Sequence, residues 1–239
     1  IAKGYVPKQC VFETTLACNL KCRHCGSMAG RPRENELSTR EAKALFEDLA
    51  DLGCIRLTLS GGEPMCRSDW PELIEAAALT GMHVAMITNA VAFDDEAAKR
   101  AKDKGLRAVG FSLDGPRDVH DWIRGRVGHF ERISRAMDAS LAAGLGFGVI
   151  SFVNRKNLDR LDEMYDFIAR KGAYAWQWRL LKLLTGGGMI FDAGVHFSDM
   201  MLYLFGRVEE VYGWIGTFQD VTIESPELGT QKMDVEDTF

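Results

Sequence analysis

Ser38-Thr-Arg-Glu41, a helical pattern running to about Asp51, Gly53, the run Ile55-Arg-Leu-Thr-Leu-Ser60 and then Gly61-Gly-Glu-Pro64 form one continuous stretch of the chain. Ser38 with Glu41 three residues later is a capping box, in which each side chain satisfies an orphan backbone N–H of a helix's first turn. Gly53 stops that helix, and Ile55–Ser60 alternates with the period of two expected of a strand. The stretch therefore reads as helix, strand and a loop of unusual composition.

The same grammar extends in both directions. Strand-like runs occupy Gln9–Thr15, Ile55–Ser60, His83–Thr88, Ala108–Leu113, Gly146–Val153 and Ala175–Leu181. Amphipathic segments lie between them: one opened by Asp69-Trp-Pro-Glu72 and closed by Gly81, then Asp94–Lys104, Phe130–Ala143 and Leu158–Lys171, the last three each followed by glycine. Strands alternating with helices predict an α/β fold with a parallel sheet and right-handed crossovers. Periodicity leaves open whether the sheet stays flat or curls into a partial barrel.

In parallel α/β folds the loops after the strands carry the chemistry, and the unusual residues of this chain sit there. Cys18-Asn-Leu-Lys-Cys22-Arg-His-Cys25 follows the first run, Gly61-Gly62-Glu63-Pro64 the second and Asn89 the third, while Ser112-Leu-Asp114-Gly115 ends the fourth.

Composition narrows the class. Of 239 residues 46% are hydrophobic and 26% charged, which excludes a disordered or fibrous chain. No run reaches the roughly 18 apolar residues of a membrane helix, and Ile1-Ala2-Lys3-Gly4-Tyr5 has no apolar signal core, so a cytoplasmic, reducing setting is the expectation. The net charge of −5 conceals a break. From Thr185 to the end there are two basic residues, Arg207 and Lys232, against ten acidic ones; before it there are 27 and 24. All six cysteines lie within the first 66 residues. Clustering of this kind points to metal or redox chemistry instead of a disulfide framework. A net acidic chain without an aromatic-interleaved basic stripe argues against nucleic-acid binding.

Three cysteines spaced C-x3-C-x2-C can wrap one metal centre from a single loop. Four thiolates would close a zinc site or an iron–sulfur cluster, whereas three leave a position open. The residues alone allow an open-sited [4Fe–4S] cluster, a zinc site with His24 as a constrained fourth ligand, or three unliganded thiols. Cys10, Cys54 and Cys66 read as core or incidental thiols. Arg31, Arg33, Arg124 and Arg126 read as solvated, and Trp176-Gln-Trp178 as a barrel wall.

Cys18-x3-Cys22-x2-Cys25, preceded by Phe12-Glu13-Thr14-Thr15 and joined by Gly61-Gly62-Glu63-Pro64 after the second strand, resembles the signature of the radical S-adenosylmethionine (radical SAM) superfamily over about residues 8–184. Cys25-Gly-Ser-Met-Ala-Gly30 and Ser112-Leu-Asp-Gly-Pro116 with His120-Asp121-x2-Arg124-Gly125 most resemble its peptide-modifying, SPASM-type subgroup. The subgroup's usual cysteine-rich C-terminal domain has no match here, since no cysteine follows Cys66. The resemblance implies a partial (β/α)6 TIM-like barrel, with Cys18, Cys22 and Cys25 as catalytic metal ligands of a [4Fe–4S] cluster. S-adenosylmethionine would chelate the open iron, and its reductive cleavage would give a 5′-deoxyadenosyl radical for hydrogen abstraction. Gly61, Gly62, Glu63, Pro64, Asn89, Ser112 and Asp114 are the implied cofactor-binding residues; Asp114-Gly-Pro is equally good turn chemistry. A peptide or small-molecule substrate and a one-electron reductant such as a flavodoxin or ferredoxin are the implied partners, with neither nucleic acid nor membrane.

After Leu184 the rhythm stops. Gly186-Gly-Gly188 leads into an apolar helical pattern, Met189–Phe205, and a strand-like run, Val208–Phe218. Gly186–Asp199, with Glu209-Glu-Val-Tyr-Gly213, resembles the substrate domain of the glucose–fructose oxidoreductase/inositol dehydrogenase (Gfo/Idh/MocA) family over about residues 186–224. Asp192 and His196, four apart, would share one helix face beside a substrate hydroxyl. Such an enzyme also needs a dinucleotide-binding strand–Gly-turn–helix, and Gly144-x-Gly146-x-Gly148 precedes a strand instead of following one. The expected organisation is thus a barrel over 1–184 and a short α+β oxidoreductase-like fragment, helix plus strands, over 185–239. The alternatives to radical SAM activity are an NAD(P)-dependent sugar or polyol oxidoreductase fragment, inactive without its nucleotide domain, and a non-catalytic zinc-binding module.

Overall fold

The computed structural model of the protein describes residues 6–180 and the backbone of 222–225 and 229–232. Six strands, β1 (Gln9–Glu13), β2 (Arg56–Ser60), β3 (His83–Thr88), β4 (Ala108–Ser112), β5 (Gly146–Val153) and β6 (Ala175–Leu180), form one sheet in sequential order. The pairs β1–β2, β2–β3, β3–β4 and β4–β5 are parallel. Crossover helices are α1 (Thr39–Asp51), α2 (Trp70–Leu79), α3 (Asp95–Asp103), α4 (Arg117–Arg124), α5 (His129–Ala142) and α6 (Leu161–Arg170). Two units are distinguished: Ile1–Ser151 with Arg160–Gln177, and Phe152–Asp159 with Trp178–Phe239.

Within the first unit, alternate strand residues divide the sheet. Leu57 and Leu59, Val84 and Met86, Val109 and Phe111, and Phe147 and Val149 are buried on the helix side, in one core with Phe46, Leu73, Ile74, Ile133, Met137 and Ile168. Phe111 is central, meeting Phe93 and Phe147 edge-on at centroid distances of 5.4 and 5.5 Å. The opposite alternates mix small and large: Thr58, Ala85, Gly110 and Gly148 line a concavity of about 200 Å³ together with Ile87 and Ile150.

Local side-chain caps explain the starts of α1 and α3. Ser38 and Glu41 form the full reciprocal capping box, and Asp94 caps α3 by accepting the Ala97 N–H. Asp69 departs from the expectation. It makes no cap bond to α2, because Arg67 Nη2 and Thr39 Oγ1 each hold its carboxylate at 2.6 Å, and these partners lower its pKa to about 2. Arg67 also donates to the Thr14 and Leu37 carbonyls, tying the end of β1 to the start of α1.

Helix α4 was absent from the sequence expectation, and α5 is capped from it. Both carboxylate oxygens of Asp121 accept N–H groups of the α5 N-terminus, from Gly128 at 2.6 Å and Phe130 at 2.8 Å. His120 and His129 complete the joint. The Asp114 N–H donates to His120 Nδ1, so His120 carries its hydrogen on Nε2 and donates to His129 Nδ1 at 2.7 Å. Both imidazoles are buried and neutral, each acting once as acceptor.

The tail expectations on Asp192 and His196 lie outside the described residues. Among those described there, β7 (Thr222–Ser225) and β8 (Gly229–Lys232) pair antiparallel. No helix among the described residues is long and apolar enough to cross a membrane.

Two outcomes follow for stability. Phe111→Ala removes the aromatic hub and lowers unfolding free energy by about 3–5 kcal/mol in urea titration, whereas Val127→Ala, at a side chain 96% exposed, changes it by less than about 0.5 kcal/mol. Burial, with the Arg124 charge behind it, drives the His129 pKa from 6.5 down to about 4, and burial drives His120 well below its ordinary value. The unfolded histidine therefore binds its proton first as pH falls. Stability is full above pH 6.5 and declines as pH falls from 6.5 towards 4, with roughly 3 kcal/mol from His129 on complete protonation. Urea midpoints measured across that window show the decline, and His129→Gln makes it shallower without abolishing it, since His120 contributes with the same sign.

Candidate active site

The three motif cysteines occupy the loop that leaves β1. The loop is closed at its base, where the Gly30 N–H donates to Leu16 O at 2.8 Å and the Cys18 N–H to Gly30 O at 3.3 Å. Glu36 fastens the same base by accepting the Leu16 and Arg33 N–H groups. The far side of the loop rests on the C-terminal end of α4: Arg23 donates its backbone N–H to Ile123 O and its Nε to Trp122 O.

Each of the three sulfurs accepts a hydrogen bond from a different element. Asn89 Nδ2, at the end of β3, lies 3.7 Å from Cys18 Sγ. Arg124 Nη1, in the last turn of α4, lies 3.7 Å from Cys22 Sγ. The Ala29 N–H, from the loop itself, lies 3.3 Å from Cys25 Sγ. Cys54, outside the motif, does the opposite and donates its S–H to Arg56 O at 3.2 Å. A thiol sulfur is a weak acceptor and a thiolate a strong one, so the donor set around the motif suits metal-bound thiolates. Burial raises the pKa of Cys18 and of Cys22, the latter against the pull of the Arg124 charge. Ligation deprotonates such a thiol outright. Among the described residues no three His, Cys, Asp or Glu side chains converge on an ion-sized point.

His24 is not turned towards the cysteines as a fourth ligand. Its Nε2 lies 3.4 Å from Asp114 Oδ2, and burial takes its pKa down to about 4. Asp114 in turn differs from the expected cofactor contact. Its carboxylate is fully buried and pairs with Arg124 Nε at 2.7 Å. Arg124, read from sequence as solvated, is buried between that carboxylate and Cys22. The His120-Asp121-x2-Arg124-Gly125 motif is thereby accounted for residue by residue. His120 joins Asp114 to α5, Asp121 caps α5, and Arg124 bridges Asp114 to Cys22. Gly125 ends α4 at φ 65°, where an added Cβ would sit 2.8 Å from Lys21 O.

The Gly-Gly-Glu-Pro loop is bound to the approach of the cysteine motif. The Gly62 N–H donates to Thr15 O at 2.7 Å and the Glu63 N–H to Ala17 O at 2.8 Å. A Cβ on Gly61 would collide with Thr15 O, and one on Gly62 would lie 2.5 Å from Ala17 O and 2.7 Å from Leu16 O. The glycines thus let two backbone segments touch. Glu63 is fully buried and accepts from Asn89 N at 2.7 Å, Thr88 Oγ1 at 2.8 Å and Met65 N at 3.2 Å. It is a brace between β2 and β3 instead of an exposed carboxylate, and burial raises its pKa. Pro64 starts a short 3-10 turn, and Ser112 is half-buried at the end of β4. Asn89 is therefore placed twice, by its backbone on Glu63 and by its side chain on Cys18 and Asn19. Arg67 and His129 stood outside every motif read from the sequence, whereas His120 and Arg124 were quoted within one but without their buried roles.

Known proteins are similar to this chain in sequence and in fold. A family model described as the radical SAM superfamily matches residues 12–168, and one described as the GFO/IDH/MocA C-terminal domain matches residues 160–239. The AdoMet-dependent heme synthase of Nitratidesulfovibrio vulgaris is 36% identical over 90% of this chain and 57% of its own length. Mycofactocin maturase MftC of Mycolicibacterium smegmatis is 37% identical over 85% of this chain and 50% of its own. The chain spans about half the length of the curated relatives it matches. In fold it is similar to Streptococcus suis SuiB bound to S-adenosylmethionine, with a TM-score of 0.67 at 16% identity over 83% of this chain and 48% of that one. With the six-stranded parallel sheet, the cysteine loop on its first strand and the family match across residues 12–168, the chain belongs to the radical SAM superfamily of enzymes.

Proposed function

We propose that Cys18, Cys22 and Cys25 hold a [4Fe–4S] cluster, that S-adenosylmethionine binds beside it, and that the enzyme abstracts hydrogen from a peptide-derived substrate. The observation carrying this reading is the set of three N–H donors, one per motif sulfur. When bound, the reduced cluster and S-adenosylmethionine supply a 5′-deoxyadenosyl radical able to attack an unactivated carbon.

The chain's own residues supply position and exclusion of water. Asn89, Arg124 and Ala29 fix the sulfurs, and Gly61 and Gly62 let the Gly-Gly-Glu-Pro loop lie flat against residues 15–17. Glu63 and Asp114, both buried, hold that geometry from beneath. Ser112, half-buried at the end of β4, is left to meet the ribose or carboxylate of S-adenosylmethionine. The concavity lined by Thr58, Gly110, Ile87 and Ile150 offers an apolar wall against which a radical is shielded from quenching. A one-electron reductant such as a flavodoxin or ferredoxin and a cytoplasmic setting belong to the same proposal, as does a domain boundary between 1–184 and 185–239. The likeness in fold to Streptococcus suis SuiB bound to precursor peptide SuiA supports a peptide substrate. The heme synthase, aligned over more of the chain, favours a tetrapyrrole as the second reading.

Anaerobic reconstitution with iron and sulfide is expected to give broad visible absorption and S-adenosylmethionine-dependent release of 5′-deoxyadenosine. A colourless protein, or one zinc per chain and no iron, would sink the proposal. Cys22→Ala abolishes both signals, whereas Cys54→Ala keeps both. Gly62→Ala, which drives a Cβ into the backbone of residues 16–17, cuts 5′-deoxyadenosine release at least tenfold while circular dichroism shows the fold retained. Deuterium passing into 5′-deoxyadenosine from a labelled peptide, and not from a labelled tetrapyrrole, decides between the substrates.

A further inference from the structure

Among the three donors to the motif sulfurs, one is charged. Asn89 and the Ala29 N–H are neutral; Arg124 brings a full positive charge to within 3.7 Å of Cys22 Sγ. It cannot swing away to solvent, since its guanidinium is buried and its Nε is pinned to Asp114 at 2.7 Å. Asp114 is equally fixed, with its backbone N–H on His120 and its carboxylate also facing His24 inside the cysteine motif. The neighbouring cation Arg23 is exposed and lies over the Trp122 ring instead.

We propose that Arg124 is a positioning residue whose fixed charge sets the reduction potential of the centre held by Cys18, Cys22 and Cys25, with Asp114 as the counter-charge limiting that effect. The inference rests on the cluster reading given under Proposed function. Reduction adds one electron, and therefore one negative charge, to a centre ligated by three thiolates. A buried cation on a ligand sulfur stabilises the reduced form more than the oxidised one, because little solvent screens it. Arg124 thus raises the potential and makes the electron easier to deliver. Asp114 pulls the other way while holding the guanidinium in place, so removing either partner moves the potential in opposite directions. A merely structural role would move both in the same direction or neither.

The test is a redox titration of the anaerobically reconstituted full chain followed by electron paramagnetic resonance, with iron and sulfide counted in each sample. Arg124→Gln, which keeps an N–H donor but loses the charge, is expected to lower the ratio of reduced to oxidised cluster at a fixed solution potential at least tenfold, equal to about 59 mV for one electron. Asp114→Asn is expected to raise that ratio, and Arg124→Lys, which keeps the charge, to stay within about threefold of the parent. Equal potentials in the parent and Arg124→Gln, at equal iron content, overturn the inference and leave the proposed function standing. If Arg124→Gln holds no cluster, the other two decide: an Asp114→Asn ratio unchanged or lowered, or an Arg124→Lys ratio lowered tenfold, overturns it. A parent chain that takes up no cluster overturns the proposed function and this inference with it.

Discussion

The ion pair of Asp114 with Arg124 is the constraint on which the rest of the site depends. Two charges removed from water cost several kcal/mol each, and their attraction offsets that cost only when the geometry is good and the remaining polar atoms are met. The surroundings meet that condition. The Asp114 backbone is fixed at the end of β4 and by His120, and its carboxylate lies between Arg124 and His24. Arg124 spends a further N–H on Cys22. The pair therefore locks α4 to the sheet from below and to the cysteine loop from above. Gly125, which lets Lys21 O approach the end of α4, completes the contact. Between Cys18 and Gly30 only Leu20 is fully buried, so the loop takes much of its shape from α4.

Much of this was legible in the sequence, and the failures have physical causes. Strands β3 and β5 fall on the expected residues because a strand buried beneath helices must alternate and must be bounded by turns. The capping box of Ser38 and the cap of Asp94 were equally plain, being local chemistry. Asp69 misled for the same reason: its local pattern fits a cap, but Arg67 and Thr39, placed beside it by the fold, compete for the same oxygens. Helix α4 is eight residues long and follows Asp-Gly-Pro, so turn chemistry hid it. Arg124 was hidden by a sound generalisation, since arginine is almost never buried unless paired. Its partner is ten positions away and is recognisable only once α4 folds back over the end of β4. The three cysteines needed no such context. Their spacing alone places them on one loop, whereas the donors to their sulfurs come from β3, α4 and the loop itself.

The two family matches meet at residues 160–168, and the fold says which side those residues serve. Helix α6 covers almost all of the overlap, and its buried residues, Met164 and Ile168, join the core formed by β1–β5 and the other helices. Arg160 reaches Asp118 on α4 at 2.8 Å. These residues are thus spent on the barrel, whatever their likeness to a second family. The break in charge falls later, at about Thr185, after the last strand of the sheet. The radical SAM match therefore contains the cysteine loop, the glycine loop and the α4 clamp, all within residues 12–168.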